Sequence, residues 1–452
     1  MNFKAVLLSI VFILALFAAP SHAADNTQST KKPNVVLIFA DDMGYGDLSC
    51  YGHPVIKTPH LDNMAGEGVR FTSFYAAASV CTPSRAALLT GRYPIRNIPT
   101  NCGPPDLEKG LPVSEITIAN LVKDEGYATM AIGKWHLGRG EKFLPTNRGF
   151  DRFYGLPYSN DMLLPWCPWL SEDDKLYLYE DDRPVKEIGW EQDDLTKNYT
   201  EKALEFIDEN SDEPFFLYLA HSMPHLPIAT SEEFRGQSEG GLYGDVIEAI
   251  DWSTGQILSK LKSLGLDENT LVIFTSDNGP WHNLPDRMLQ RGVERWHAGS
   301  TGLLRGAKAT SWEGGFRVPG IVRWPSQIEG KRVIGEMTTT MDLFTTIAGV
   351  CGAPLPDDRK IDGNNLLPLL KGEENSPTET LFYCRGENLE AVRHGEWKYR
   401  FTKNDGVQLF NLLLDPAEMY DVAEQNPDVV AELHKEMEMF SKETGAKLAE
   451  GK

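Results

Sequence analysis

Four runs of aliphatic and aromatic residues stand out along the chain, and each is bounded by polar or turn-forming residues. Runs of about four to eight such residues are typical of strands that are buried on both faces. Between and after these runs, apolar residues recur with the period of an amphipathic helix. The predicted strands span residues 34–40, 127–132, 214–220 and 271–275, and the predicted helices span residues 116–125, 200–210 and 245–264.

Buried strands that alternate with helices predict an α/β fold, in which a large and mostly parallel sheet is flanked by helices. Nearer the C-terminus, Asp405-Gly406 separates two apolar runs at 397–401 and 407–412, which is the signature of a β-hairpin. A final amphipathic helix is predicted over residues 427–444. We therefore expect a small C-terminal antiparallel sheet with a helix packed on it.

The N-terminus has the pattern of a secretory signal peptide. Lys4 precedes an apolar run over residues 5–19, and Ser21 and Ala23 are small residues at the positions that a signal peptidase reads. The run is shorter than the roughly 20 apolar residues that span a bilayer, and no other stretch approaches that length. We expect an exported protein, periplasmic or secreted, without a membrane span. The predicted parts are a signal peptide over 1–23, a large domain over 24–355 and a C-terminal subdomain over 356–452.

Charge and cysteine content narrow the range of partners. The formal net charge is −21, and removal of Lys4 with the signal peptide makes it one unit more negative. Such a surface argues against nucleic acid or an anionic membrane as partner. The chain has six cysteines but no CxxC pair, which argues against a thiolate zinc site. Export permits disulfides, and their pairing stays open.

Polar residues follow each of the four predicted strands. They are Asp41 and Asp42, Lys134 and His136, His221 and His225, and Asp277 and Asn278. Either acidic pair alone is typical of turns and helix caps. However, ligands of open α/β sheets bind beyond the carboxyl ends of the strands, so four such ends together predict a functional site. Three carboxylates gathered there need a cation, and hard oxygen donors favour calcium, with magnesium as the alternative.

The segment CTPSRAALLTGR at residues 81–92 predicts a helix, because Pro83 suits a first turn and the following Ala and Leu residues continue it. Cys81 then lies at a helix N-terminus, where the dipole favours an anion and is expected to lower the pKa of a thiol. A structural or disulfide-bonded cysteine is the alternative.

Long ordered motifs extend over residues 34–319. They read NVVLIFADDMGYGDL at 34–48, CTPSRAALLTGR at 81–92, GKWHLG at 133–138, GLPYSND at 155–161, HSMPHLP at 221–227, SDNG at 276–279 and RGAKATSWEGGFRVP at 305–319. These motifs resemble those of the type I sulfatases of the alkaline phosphatase superfamily, and most of all the arylsulfatase A-like branch. The resemblance implies an alkaline-phosphatase-like fold and hydrolysis of sulfate esters.

The resemblance also implies that Cys81 is converted to formylglycine, an aldehyde, by a separate maturation enzyme that reads Cys-x-Pro-x-Arg. Pro83 and Arg85 fill the required positions of that motif. Hydration of the aldehyde gives two hydroxyl groups. One attacks sulfur and releases the alcohol, and the other then expels sulfate, which divides one difficult step into two.

The resemblance also implies roles for other individual residues of this chain. The metal ligands that the resemblance implies are Asp41, Asp42, Asp277, Asn278 and the modified Cys81. The residues that it implies to bind the sulfate are Lys134, His225, Lys308 and Ser159. Arg85 is implied to steady the nucleophile. His136 is implied to be the base that deprotonates its second hydroxyl, and His225 the acid that protonates the leaving oxygen.

The expected function is release of inorganic sulfate from a sulfated small molecule or saccharide. Export and aromatic-rich loops favour a carbohydrate. The alternatives are a phosphodiester or phosphonate monoester hydrolase of the same superfamily and a non-catalytic polyanion-binding relative. The intact acid and base argue against the second alternative, because binding alone needs neither. The native substrate, the sulfated position, exo or endo action and the oligomeric state stay open.

Three arginines between the SDNG motif and Lys308 are spaced four residues apart: Arg287, Arg291 and Arg295. On a helix this spacing places them on one face. Guanidinium groups bind sulfates bidentately, and flanking Trp side chains can stack on sugar rings. We therefore expect Arg291 and Arg295 to bind a neighbouring sulfate or carboxylate of a polyanionic saccharide. A solvated helix face, paired with nearby acids, is the alternative.

Overall fold

Alternate side chains of the first strand, β1 (Asn34–Ala40), point into two different hydrophobic cores. Val36 and Ile38 pack in one core, whereas Leu37 and Phe39 pack in the other. None of the four is exposed to solvent. The strand is therefore covered on both faces, as expected in a parallel sheet, and burial of each of these side chains contributes about 1.5–3 kcal/mol.

The structure, a computed structural model, describes residues 31–103, 106–290 and 292–449. The predicted signal peptide over residues 1–23 lies outside these ranges. The remaining strands are β2 (Val69–Phe71), β3 (Phe74–Tyr75), β4 (Ala128–Lys134), β5 (Arg152–Leu156), β6 (Leu176–Glu180), β7 (Arg183–Ile188), β8 (Phe215–Ala220), β9 (Thr270–Ser276), β10 (Gly320–Arg323), β11 (Arg332–Ile334), β12 (Thr338–Thr339), β13 (Thr380–Arg385), β14 (Asn388–His394), β15 (Trp397–Thr402), β16 (Gly406–Asn411) and β17 (Lys447–Leu448). The helices are α1 (Pro59–Glu67), α2 (Cys81–Thr90), α3 (Ile118–Asp124), α4 (Leu195–Glu209), α5 (Gly241–Ser263), α6 (Glu313–Phe316), α7 (Thr340–Cys351), α8 (Leu367–Lys371) and α9 (Pro427–Thr444).

The large sheet has ten strands in the order β11-β2-β10-β9-β1-β8-β4-β5-β6-β7. Its centre, from β9 to β5, is parallel. Antiparallel strands flank this centre, β10 beside β9 and β6 beside β5. The four predicted strands are β1, β4, β8 and β9, and the predicted helices are α3, α4 and α5. The ends differ by up to two residues in the strands and by up to five in the helices, since α4 begins at Leu195 rather than at residue 200. The predicted α/β fold is confirmed.

A second, five-stranded sheet follows, in the order β13-β14-β15-β16 with β17 beside β14. The predicted hairpin is β15 and β16, and α9 has the predicted bounds. Leu433, Met437 and Phe440 of α9 lie on one helix face and pack with Tyr75 and Phe316 of the preceding part of the chain. The small sheet therefore shares a core with the rest of the protein. The domain boundary at residue 355 lies between α7 and α8 and stays a prediction.

The six cysteines all lie within the described ranges and are free thiols. Among the described residues, no helix has the length and apolar character needed to cross a membrane.

Candidate active site

Polar side chains converge at the carboxyl ends of four neighbouring strands, β9, β1, β8 and β4. Asp277 follows β9, Asp41 follows β1, Lys134 ends β4, and His225 lies just beyond β8. All four side chains are buried. The parallel arrangement thus brings together residues that are far apart in the sequence, at the edge of the sheet where a site was predicted.

Cys81 is the first residue of α2, every residue of which is buried. Burial raises the pKa of the Cys81 thiol well above its ordinary value, although Lys134 and Lys308 oppose the shift. The expected lowering of this pKa is therefore wrong, because burial outweighs the two lysines and the nearby carboxylates of Asp277 and Asp41 add to the rise. A thiolate at this position is therefore disfavoured.

Two lysines converge on Cys81. The Nζ atoms of Lys134 and Lys308 lie 3.4 Å and 3.6 Å from its Sγ atom. Lys134 also donates to Asp41 Oδ2 at 2.5 Å, and Lys308 donates to Asp42 Oδ2 at 2.7 Å. This acidic protein therefore concentrates positive charge at one buried point, where an anionic ester can be held.

Arg85 lies one turn further along α2 and is fully buried. Its Nε and Nη2 atoms donate to Asp277 Oδ2 at 3.1 Å and 2.9 Å, and its Nη1 atom donates to the Lys134 carbonyl at 2.8 Å. The other carboxylate oxygen of Asp277 accepts the Asp42 N–H at 3.0 Å. Arg85 thus ties the helix that carries Cys81 to the ends of two strands.

The carboxylates respond differently to this environment. Burial raises the pKa of Asp41 to about 7, against the opposing charge of Lys134. Burial likewise raises the pKa of Asp42. Burial alone would also raise the pKa of Asp277, but the adjacent Arg85 guanidinium reverses the shift and lowers it. Burial thus outweighs the paired lysines at Asp41 and Asp42, and a bound cation would further favour their charged forms.

The carboxylate and amide oxygens at this point fit a hard divalent cation, whereas the Cys81 sulfur and the His225 nitrogen beside them are softer donors. One ligand atom from each of Asp41, Asp42, Cys81 and His225 lies within 4.8 Å of the others. Asn278 Nδ2 donates to Asp42 Oδ1 at 2.7 Å, while Asn278 Oδ1 is buried and has no hydrogen-bond partner among the described residues. An orphaned amide oxygen beside carboxylates is the kind of donor that calcium or magnesium binds.

Two buried histidines have opposite tautomers. His225 Nδ1 lies 2.5 Å from the Leu226 carbonyl, which can only accept, so Nδ1 carries the proton and Nε2 lies 3.6 Å from Asp42 Oδ2. His136 Nε2 lies 2.8 Å from the Cys102 carbonyl, so in this ring Nε2 carries the proton. Burial lowers the pKa of both imidazoles well below the ordinary value, with help from nearby lysines.

Comparisons with known proteins match this arrangement to one family. A family model described as Sulfatase matches residues 33–353, and one described as N-sulphoglucosamine sulphohydrolase, C-terminal, matches residues 307–443. The chain belongs to the sulfatase family. It is 40% identical over 406 residues to N-acetylgalactosamine-6-sulfatase of Canis lupus familiaris, covering 86% of this chain and 75% of the relative.

A bacterial relative and a solved structure extend the match over nearly the whole chain. N-acetylgalactosamine-6-O-sulfatase of Bacteroides thetaiotaomicron is 34% identical over 485 residues, covering 92% of this sulfatase and 94% of the relative. The crystal structure of PsFucS1 sulfatase from Pseudoalteromonas sp. superposes with a TM-score of 0.82 and 28% identity, covering 92% of each chain. Sulfatase activity follows from these relationships.

Ser159 lies in the loop after β5 of the sulfatase and is buried. Its hydroxyl oxygen has no hydrogen-bond partner among the described residues. Buried hydroxyls normally have hydrogen-bond partners, so this one is suited to donate to an oxygen atom of a ligand. Its contact with sulfate stays a prediction.

The predicted arginine helix is wrong. Between Asn278 and Lys308, the described residues contain only one short 3-10 turn, Asp286–Met288. Pro285 precedes this turn, and Gly292 has a φ of 85°, which an α-helix does not accommodate.

The three arginines consequently have different surroundings. Arg287 donates to the Trp166 carbonyl at 2.6 Å. Arg295 pairs with Asp286 and donates to the Leu284 carbonyl at 3.0 Å. Arg291 lies outside the described residues. Substrate binding by Arg291 and Arg295 stays a prediction.

Trp281 has a closer connection to the site than the sequence indicated. Its ring lies 5.8 Å from the His225 ring, and Lys308 Nζ lies 5.0 Å from its centroid. Thr82 and Cys102 also contact His136 and were missed altogether. No local signal marks Cys102, because only the tertiary fold brings it to the site.

Proposed function

We propose that this sulfatase hydrolyses sulfate esters of a carbohydrate outside the cytoplasm, with formylglycine made from Cys81 as nucleophile and calcium as the bound cation. The observation that carries the proposal is the convergence of Lys134 and Lys308 on Cys81 Sγ, at 3.4 Å and 3.6 Å. A sulfate placed at this atom meets two ammonium groups in a buried site, where electrostatic stabilisation is strongest.

The flanking residues have complementary tasks. His225 would protonate the leaving alcohol from Nε2 after taking up a second proton at that atom, because its Nδ1 proton is held by the Leu226 carbonyl. His136 would remove a proton from the nucleophile at position 81 through Nδ1. Arg85 would fix the helix that carries position 81 by its two hydrogen bonds to Asp277. Ser159 would donate to a sulfate oxygen.

The cation would be held by oxygens of Asp41, Asp42, Asp277 and Asn278, with position 81 as a further ligand. When bound, it would supply Lewis-acid stabilisation of developing negative charge. Calcium is favoured over zinc because the side-chain donors are hard oxygens rather than thiolates. Magnesium is the alternative with the same ligand preference.

A carbohydrate substrate is supported by the relatives and by the surface. Two similar proteins are named N-acetylgalactosamine sulfatases. In this chain, Trp169 and Trp296 are 66% and 75% exposed. Exposed indole rings are suited to stack on sugar faces.

The test is release of free sulfate from a panel of sulfated mono- and oligosaccharides, with an aryl sulfate and the matching aryl phosphate for comparison. The protein is made together with a formylglycine-generating enzyme. Sulfate release from at least one saccharide is expected, with Cys81→Ala inactive but folded. Preference for the phosphate ester, or full activity with an unmodified thiol, would contradict the proposal.

Maturation can be checked on the same sample. Mass spectrometry of the peptide containing Cys81 is expected to show formylglycine, and N-terminal sequencing of secreted or periplasmic protein is expected to begin near Ala24. Retention of Lys4 in that fraction would contradict cleavage of a signal peptide.

A further inference from the structure

His136 has a left-handed backbone conformation, with a φ of 58°. This region is unfavourable for a residue with a Cβ atom, so surrounding contacts must hold it. The His136 N–H donates to the Pro157 carbonyl at 3.1 Å. The His136 carbonyl accepts from Thr82 Oγ1 at 2.8 Å and from Cys102 Sγ at 3.4 Å. Two side chains from other segments thus hold this backbone.

The imidazole of His136 is held by the same segment. Its Nε2 atom lies 2.8 Å from the Cys102 carbonyl oxygen. Because a carbonyl can only accept, Nε2 carries the proton and the lone pair of the neutral ring lies on Nδ1. Nδ1 is buried and has no hydrogen-bond partner among the described residues. His136 and Cys102 therefore exchange two hydrogen bonds, one through each backbone carbonyl.

Thr82 joins this pair to the helix of the nucleophile. Its hydroxyl donates to the His136 carbonyl and accepts the Cys102 N–H at 3.3 Å. Its own N–H donates to Asn101 Oδ1 at 3.1 Å. Thr82 is fully buried and directly follows Cys81 in the chain. One residue therefore links the position of the nucleophile, the end of β4 and the segment around Cys102.

We propose that Thr82 and Cys102 are positioning residues, which fix the place and the tautomer of the His136 imidazole beside position 81. The proposal rests on the proposed function, in which His136 removes a proton from the nucleophile at position 81. Neither residue is assigned a contact with substrate. Their loss impairs the step that needs the His136 base, which is the release of sulfate from the enzyme.

The test compares Thr82→Val with Thr82→Ser in enzyme matured to formylglycine. Valine keeps the shape but removes the hydroxyl, whereas serine keeps the hydroxyl. Rates are divided by the formylglycine content that mass spectrometry finds in each variant, because Thr82 lies within the maturation motif. Thr82→Val is expected to lower kcat about 10- to 100-fold, with KM falling in parallel, for aryl sulfates of any leaving group. Thr82→Ser is expected to restore most of the rate.

Two further variants separate positioning from general destabilisation. In Thr82→Val and, less strongly, in Cys102→Ala, mass spectrometry after quenching is expected to find sulfate retained on the peptide of position 81. The matched control is Thr90→Val, a buried threonine of the same helix whose hydroxyl donates to the Ala86 carbonyl at 2.7 Å. It is expected to keep the wild-type kcat. Equal rates for Thr82→Val and Thr90→Val, absence of retained sulfate, or no rescue by serine would overturn the proposal.

A measurement without turnover distinguishes this proposal from the proposed function. NMR of the whole protein with nitrogen-15-labelled histidine is expected to show His136 protonated on Nε2 in the wild type and a changed signal in Thr82→Val. A proton on Nδ1 in the wild type would overturn the positioning role even in an active enzyme. The expected tautomer in a protein that releases no sulfate would uphold the geometry and refute the proposed function.

Discussion

Lys398 Nζ lies 3.0 Å from Glu313 Oε1, and neither side chain is exposed to solvent. Lys398 belongs to the small sheet, whereas Glu313 begins α6, close to Lys308. A second buried carboxylate, that of Glu418, lies 2.7 Å from the same ammonium group. One lysine therefore joins two acidic side chains where the small sheet meets the loop of the active site.

Lys398→Met is expected to destabilise the protein by about 3–5 kcal/mol, because it leaves Glu418 buried without its ammonium partner and leaves Glu313 with Arg317 at 3.7 Å as its remaining ion pair. Urea unfolding measures the loss. The control is Lys447→Met, which removes an exposed ion pair with Glu387 and is expected to cost only about 0–1 kcal/mol. Similar losses for both variants would show that the buried pair contributes no more than a surface one.

Asp251 of α5 accepts the N–H groups of Leu61 and His60, at 2.7 Å and 3.2 Å, at the start of α1. Burial raises the pKa of Asp251 from 3.8 to about 7. Because the folded-state value is the higher one, this carboxyl contributes stability fully below about pH 4, and the contribution is lost as pH rises through about 7.

The contribution of Asp251 to the free energy of unfolding is therefore expected to decline between about pH 4 and pH 7, by up to about 1.4 kcal/mol per pH unit. Over that range the decline is expected to be less steep in Asp251→Asn. Denaturant titrations at several pH values test this. The exposed Asp208→Asn provides a control for the loss of one charge. Identical slopes for wild type and Asp251→Asn would refute the assignment.

Removal of the cation is expected to abolish activity. It is also expected to lower the melting temperature, because a ligand at about 100 times its Kd stabilises the folded state by about 2.7 kcal/mol. Calcium or magnesium is expected to restore both. Asn278→Ala is expected to need more cation for half-maximal activity, whereas Asn147→Ala, on the surface, serves as control. Stoichiometric zinc in the active protein would be incompatible with the oxygen donor set.

His225→Ala is expected to reduce kcat/KM about 10²- to 10⁴-fold for sulfated sugars, whose alcohols leave poorly, but far less for activated phenols. The measurement is the dependence of rate on the pKa of the leaving group. His282→Ala removes an exposed histidine next to Trp281 and is the matched control. A uniform loss on all substrates would assign His225 a structural role.

Loss of Arg291 and Arg295 together is expected to raise KM for a multiply sulfated oligosaccharide, most strongly at low salt, and to leave a small aryl sulfate unaffected. A second variant tests Arg295 alone. Asp286→Ala frees the Arg295 guanidinium from its ion pair and is expected to lower the same KM. No change in either variant would exclude both arginines from substrate binding.

The central strands and the residues at their ends were predictable because the signals are local. A fully buried strand such as β1 is a continuous apolar run, and its end at Asp41 marks the site. The short strands β2, β10 and β11 were not predicted, since runs of three or four residues carry little pattern. Their places in the sheet depend on contacts between distant segments.

The errors at the site have a common physical origin. The direction of the Cys81 pKa shift depends on how completely neighbouring elements exclude water, which spacing does not reveal. The arginine stripe assumed a helix that Pro285 and Gly292 interrupt. The contacts of Cys102 with His136 join residues 34 positions apart, so only the folded chain displays them.

Lys308 lies in a segment that cannot be assigned to the large or the small part of this enzyme alone. The two family matches overlap over residues 307–353, so Lys308 belongs to both. The segment that carries it is anchored to the C-terminal part of the chain, through Arg305 to the Glu418 carbonyl at 2.9 Å and through Glu313 to Lys398. A chimera that exchanges the small sheet between relatives must therefore exchange these anchors as well. The C-terminal part is therefore expected to hold the segment of Lys308 in place, and its removal is expected to impair the proposed binding of sulfate by Lys308.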